Sequence, residues 1–210
     1  KADELIFLDI TATSEARESL YEIINNVAQD CFMPLTIGGG IKKIEDINRL
    51  LKIGADKVSI NSIACENPQF IKESSDKFGS QCIVVSIDVK KVDGKYEVFI
   101  HNGKKSTKKD PVLWAKQVEE LGAGEILLTS IDNEGTMKGY DIDLLKEITK
   151  EVSIPVIING GAGTTQDFYD AIKIGDASAV VAGSIFNFTD QSLIKARRFL
   201  KVQGLDVRNG

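Results

Sequence analysis

Short apolar runs punctuate the chain: residues Leu5–Leu8, 35–37, Lys57–Ile60, 83–87, 126–128, 156–158 and 179–181. Six of the seven are continuous β-branched or leucine-rich stretches. Strands covered on both faces read this way. Between most of them lie amphipathic segments of helical length. Residues 14–30 place Leu20, Ile23, Ile24, Val27 and Ala28 three and four apart, and residues 44–53 do the same with Ile47, Leu50 and Leu51. Asp110 and Pro111 open a third helix, running to Leu121, with Asp as cap and Pro in the first turn. Gly54, Gly122 and Gly175 each follow a helix where a left-handed C-terminal cap belongs. Strand and helix in alternation predict a parallel sheet with right-handed crossovers. One segment breaks the rhythm. Residues 95–100 alternate after Asp93-Gly94, which predicts an inserted β-hairpin.

The two halves align at a constant offset of 121 residues. Glu4-Leu-Ile-Phe-Leu-Asp9 lies over Glu125-Ile-Leu-Leu-Thr-Ser130, and Pro34-Leu-Thr-Ile-Gly-Gly-Gly40 over Pro155-Val-Ile-Ile-Asn-Gly-Gly161. Gly54-Ala-Asp-Lys-Val-Ser-Ile60 lies over Gly175-Asp-Ala-Ser-Ala-Val-Val181. A period this long fits a duplicated half-barrel rather than a solenoid. The expected fold is a single TIM (β/α)8 barrel over residues 1–210, with 1–79 as a partial first half and 80–210 as the second. Seven strands are present. The unit holding 83–88 has no partner, and its counterpart would lie about forty residues before Glu4, so a first βα unit is expected to be missing. The runner-up, an open doubly wound sheet, lacks its GxGxxG motif after any strand.

Composition narrows the function. With 42% hydrophobic residues, 27% charged residues and a net charge of -5, the chain is neither disordered nor collagen-like. The acidic balance argues against a nucleic-acid surface. No apolar run approaches the roughly 18 residues of a membrane span. Cys31, Cys65 and Cys82 are far apart, form no CxxC and are odd in number. That is reducing-compartment usage, and it predicts packing residues in a cytoplasmic protein. The single histidine, His101, excludes a multi-histidine metal site, so neither metal nor cofactor is expected. His101 itself reads as exposed or as loop packing.

In such barrels chemistry sits past the C-terminal ends of the strands. Those positions hold Asp9 and Thr11, Gly38 to Gly40, Asn61-Ser62, Asp88 with Lys90, Thr129 to Asp132, Asn159 to Gly161, and Gly183-Ser184. A glycine-rich strand end lets backbone approach a phosphate, and a following helix N-terminus points N–H groups at it. Gly39, Gly40, Asn61 and Ser62 form one such set, and Gly160, Gly161, Gly183 and Ser184 the other. The alternative is that the glycines only satisfy tight turns. Two sets predict a substrate with a phosphate at each end. Asp88 closes an otherwise apolar strand and is the candidate general acid or base. Its other reading is a cap or a salt bridge to Lys90. The repeat predicts an equivalent Asp on the missing strand. Glu4, Asp56, Lys57 and Glu125 start strands, where a stabilising salt-bridge ring is the simple reading. The lysines at 104, 105, 108 and 109 read as a solvated loop that could also attract an anionic substrate.

Several strings resemble the cyclase subunit of imidazole glycerol phosphate synthase, the HisF family. They are Phe7-Leu-Asp-Ile-Thr-Ala12, Thr36-Ile-Gly-Gly-Gly-Ile41, Gly54-Ala-Asp-Lys-Val-Ser-Ile-Asn61, Val85-Ser-Ile-Asp-Val-Lys90, Gly122-Ala-Gly-Glu-Ile-Leu-Leu-Thr-Ser-Ile-Asp132 and Gly160-Gly-Ala-Gly163. The sister isomerase of histidine biosynthesis shares the half-barrel repeat but not this set. The resemblance implies a lyase reaction. Ammonia from a HisH-like glutaminase partner passes through the barrel and attacks the bisphosphorylated substrate PRFAR, giving imidazole glycerol phosphate and AICAR. It implies Asp88 as general acid, phosphate contacts at Gly40, Asn61, Gly161 and Ser184, and pocket positions at Asp9 and Thr129. It also makes Glu4, Lys57 and Glu125 members of an ammonia gate, with Asp56 at the glutaminase interface.

The string also departs from that pattern. Glu134 stands where the histidine enzymes usually carry Asp, and Asn159 replaces a usual Ser. Asp110-Pro-Val-Leu-Trp-Ala115 looks more like a paralogous branch tied to surface-polysaccharide sugars, which is thought to direct ammonia toward amidino groups. The base Asp belongs to the first unit in the family. The resemblance therefore also admits an inactive barrel that only binds anions or a partner, and this chain by itself is expected to be inactive.

Overall fold

The computed structural model describes residues 2–9, 21, 24–25, 27 and 32–208. The expected helix over 14–30 falls mostly outside them, as do Thr11 and Cys31, although Tyr21 and Ile24 are buried in the core. In chain order the sheet starts with β1 (Leu5–Leu8), β2 (Leu35–Gly38), β3 (Lys57–Ile60) and β4 (Ile83–Val92). Strand β4 runs on into a hairpin made with β5 (Lys95–Ile100) and β6 (Lys105–Ser106). The sheet continues with β7 (Glu125–Ser130), β8 (Val156–Asn159) and β9 (Ala179–Val180). Seven strands pair in parallel in the order β1-β2-β3-β4-β7-β8-β9.

The connecting helices among the described residues are α1 (Ile44–Lys52), α2 (Ser62–Glu66), α3 (Gln69–Phe78), α4 (Pro111–Glu120), α5 (Ile142–Thr149), α6 (Thr165–Lys173), α7 (Ser184–Phe188) and α8 (Leu193–Val202). The larger apolar core lies between strands and helices. Ile37, Val58, Ile60, Val85, Ile87, Ile126, Leu128 and Ile158 face it from the sheet. Alternate residues face the other way. Val84, Leu127 and Ile157 form a second cluster, with Ile6 and Val181 packed on it. Strand β1 neighbours none of β4, β7 and β8 in the sheet, so the packing of its Ile6 on their cluster shows that the sheet curls on itself. An ion pair between Arg197 of α8 and Asp3, at 2.7 Å, ties the two ends of the wall together. The architecture is an α/β barrel wall of the TIM type, with seven parallel strands.

Local chemistry explains most element ends. Asp110 caps α4 by accepting from the N–H groups of Val112 and Leu113, with Pro111 in the first turn. Asp93 and Gly94 both adopt positive φ, as a type I′ hairpin turn demands. Gly54 and Gly122 are left-handed after their helices, as expected. Gly175 is not. The left-handed residue there is Asp176, at φ 58°. Gly175 is needed for space instead, because a Cβ would lie 2.3 Å from the Leu145 side chain. No described helix is long and apolar enough to cross a membrane.

Candidate active site at the barrel mouth

The C-terminal ends of β3, β4, β7 and β8 bring polar side chains onto one row. Asp88 pairs in register with Thr129, and Thr129 with Asn159. All three alternate with residues of the helix-facing core, so all three face the barrel interior. The Ser86 hydroxyl donates to Asp88 Oδ1 at 2.8 Å, and the Asn159 amide to Thr129 Oγ1 at 3.2 Å. Asn61 follows β3 beside them. Both of its amide atoms are buried without a hydrogen bond of normal geometry.

Burial is the main influence on Asp88 and raises its carboxyl above the usual carboxylate range. Ser86 and the Asn61 amide act in the opposite direction, and the charge of Glu134 adds to the rise. Asp88 makes no ion pair among the described residues, with Lys90 or any other cation. The arrangement suits a proton donor: a carboxyl of raised pKa on a rigid strand, with amide and hydroxyl groups beside it.

The glycines flanking this row have a structural reason of their own. Gly39 and Gly160 have φ of 102° and 95°. A Cβ on Gly39 would lie 2.2 Å from the Asp9 carbonyl oxygen, and one on Gly160 would lie 2.7 Å from that of Ser130. Each glycine thus passes the backbone at the end of the preceding strand of its own half, just after β1 or at the last residue of β7. Gly161 passes the Gly139 carbonyl oxygen just as closely, at 2.1 Å from the Cβ position. Gly183 differs, with negative φ and open space around it. Gly160, Gly161, Gly183 and Ser184 line one concavity together with Glu134 and Asn159. Gly39 and Gly40 line another, with Asp46 and Tyr21.

At both glycine turns a carboxylate holds the N–H groups that lead into the following helix. Asp46 Oδ2 accepts from the N–H groups of Lys42 and Lys43. Asp167 Oδ2 does the same for Gly163 and Thr164. The two carboxylates are 121 residues apart and fasten the chain just ahead of each helix. The short helices α2 and α7, behind Asn61 and Gly183, have no side-chain cap.

Other expected site residues lie elsewhere. Ser62 accepts from the N–H of His101 at 3.0 Å, and His101 Nε2 lies 3.0 Å from Glu66 Oε1. The hairpin end is therefore fastened to α2, and His101 is engaged rather than simply solvated. Asp132 accepts from the N–H of Lys91 and is exposed, tying the β7 loop to the hairpin. Asp9 takes the Gly38 carbonyl through its own N–H. At the opposite end of the barrel, Lys57 donates to Glu125 at 2.7 Å and to Glu4 at 3.0 Å, although Glu4 and Glu125 precede and begin different strands. Burial acts to lower the Lys57 pKa, but the two carboxylates outweigh it and hold the ammonium above its ordinary value. Asp56 accepts from the Leu35 N–H at that same end.

A concavity of about 790 Å³ lies on the flank between the hairpin and α5. Its walls mix Lys91, Lys95, Lys108, Lys146 and Lys150 with Glu97, Asp110, Asp143 and Glu147. Lys108 is already paired with Glu97, and Lys109 stacks over Trp114. Opposite charges in an open groove give no convergent chemistry, so the mouth is the better site. No metal-ligand cluster occurs among the described residues.

Sequence reasoning missed Ser86, Phe99 and the paired caps. The hairpin signal would have found Phe99. A two-residue turn at 93–94 pairs Val92 with Lys95 and, counting back, Asp88 with Phe99. The family model for the histidine biosynthesis protein matches residues 1–192, which include every strand of the barrel wall. The chain belongs to the histidine biosynthesis protein family, TIM barrels that act as isomerases and cyclases of that pathway.

Proposed function

We propose that this chain is a cyclase-type barrel of the family, resembling HisF, in which ammonia supplied by a glutaminase reacts with PRFAR. Asp88 is the general acid. Asn61, Thr129 and Asn159 orient the substrate, and the two glycine-lined concavities take its phosphates, with Gly40, Gly161 and Ser184 in contact. The observation that carries the reading is the Glu4–Lys57–Glu125 cluster at the end of the barrel opposite Asp88. A salt-bridge ring that only stabilises the barrel would serve an isomerase equally well. A barrel that admits ammonia there and docks a partner through Asp56 gives the cluster a further use.

A second reading has a specific observation in its favour. Glu134 lines the concavity of Gly160 and Gly161, and its carboxylate lies 3.2 Å from where a Gly160 Cβ would be. No lysine or arginine lines that concavity. A carboxylate reaching this far works against a phosphate dianion, which suits the sugar-directed paralogue. One assay separates the readings. The full-length protein is given PRFAR and an ammonium salt, and turnover is followed by absorbance. Turnover that is lost in Asp88→Asn, with binding kept, is the expected result. Retained turnover in that variant removes Asp88 from the acid role. A protein that ignores PRFAR leaves the sugar-directed reading and the barrel that only binds anions or a partner.

A further inference from the structure

The hairpin interrupts the βα rhythm, yet its register serves the mouth. Phe99 of β5 is the direct cross-strand partner of Asp88 of β4. Directly opposed residues of an antiparallel pair share a face, with Cβ atoms about 4.5–5.5 Å apart. Val98 and Ile100 point to the other face and join the helix-side core. Phe99 is 9% exposed but belongs to neither apolar cluster. Its ring is buried at the mouth, on the side of Asp88. The strand that carries it is held from three directions. It pairs with β4, it pairs with β6 through Ser106, and its end is fastened to α2 by Ser62 and Glu66.

We propose that Phe99 is a positioning residue for the acid: by closing one side of Asp88 to water, it keeps the carboxyl in the form that donates a proton. The proposal rests on reading Asp88 as the general acid. The other groups facing Asp88 leave this task open. Ser86 and Asn61 favour the carboxylate, and Glu134 opposes it from the loop after β7. The Cys65 thiol of α2, pushed up to about 12 chiefly by burial, is uncharged at neutral pH. Among the described residues no cation influences Asp88. Exclusion of water is the largest influence, and an aromatic ring directly opposite supplies it.

The test is the carboxyl-carbon NMR titration of Asp88 in the whole chain, assigned with Asp88→Asn. Phe99→Asn should weaken the proton affinity of Asp88 by about tenfold or more, one unit of midpoint. Phe99→Leu, which keeps the side apolar, should hold the wild-type midpoint. Should Phe99→Asn not fold, Phe99→Ala opens the same side to water and reads the same quantity. An unchanged midpoint in the polar or truncated variant overturns the proposal, because a residue that only packs the hairpin leaves the titration where it was. The titration needs no substrate, so it stands apart from the assigned reaction. If PRFAR is turned over, the alkaline limb of kcat/KM moves to lower pH in Phe99→Asn. Turnover with an unmoved limb overturns the role of Phe99 and leaves the reaction standing.

Discussion

Gly39 and Gly183 are both glycines at strand ends, but they do different work. Gly39 has positive φ and lies against the Asp9 carbonyl, so a side chain there meets backbone that cannot move aside. Gly39→Ala should cost about 2 kcal/mol or more, from left-handed strain and the clash together. Gly160→Ala should behave alike, being the repeat-related residue. Gly183→Ala should stay within about 0.5 kcal/mol, because its φ is negative and the surrounding space is open. Urea melts of the three variants check the ordering, and equal costs would contradict it. The consequence for reading sequences is direct. A glycine triplet signals close backbone approach, and here the approaching group is the protein's own preceding strand. Phosphate contact has to be argued from the open glycine and its neighbours.

At the scale of elements the duplication is expressed in caps as well as strands. Asp46 and Asp167 each hold two N–H groups at the start of α1 and α6. Removing either by Asp→Ala should cost about 1–2 kcal/mol. The two lie in different halves and share no partner, so the double variant should lose the sum. Thermal melts of both singles and the double test this, and a clearly larger loss in the double would show coupled halves. Much of this level was legible beforehand. The seven apolar runs, the hairpin turn and the Asp110 cap all appear where pattern and turn chemistry placed them. Gly175 misled, because a glycine after a helix has two uses, a left-handed turn or room for a neighbour, and only packing against Leu145 distinguishes them. The ends of β4 and β7 also ran past their apolar cores, since ladder pairing with the hairpin and with each other extends polar residues as well. In the candidate site, Asp88 was visible as a lone acid on an apolar strand. Its neighbours Ser86 and Phe99 required the register.

Across the whole molecule the two ends of the barrel are chemically opposed. Lys57 bridges Glu4 and Glu125, and only 16% of its side chain is exposed. Lys57→Met leaves two carboxylates facing each other and should cost about 1.5–3 kcal/mol. Adding Glu4→Gln and Glu125→Gln should recover part of it, since the loss comes from uncompensated charge. The pH dependence has a definite sign. A raised lysine contributes fully below its ordinary value of 10.5 and ceases to contribute as pH climbs through the raised value. The difference between wild type and Lys57→Met should therefore be constant near neutrality and shrink in strongly alkaline urea melts. Between this cluster and Asp88 lie Ile6, Val84, Leu127, Ile157 and Val181. The Ser59 hydroxyl, on the same face of β3 as Lys57, is buried without a partner. In dielectric terms the layer is a septum. A cation entering it would give up its hydration with almost nothing in exchange, whereas a small neutral molecule would lose little. If ammonia moves along this axis, as the proposed function requires, the layer selects it by protonation state. An ammonium ion would have to leave its proton behind, and the mouth would receive the free base.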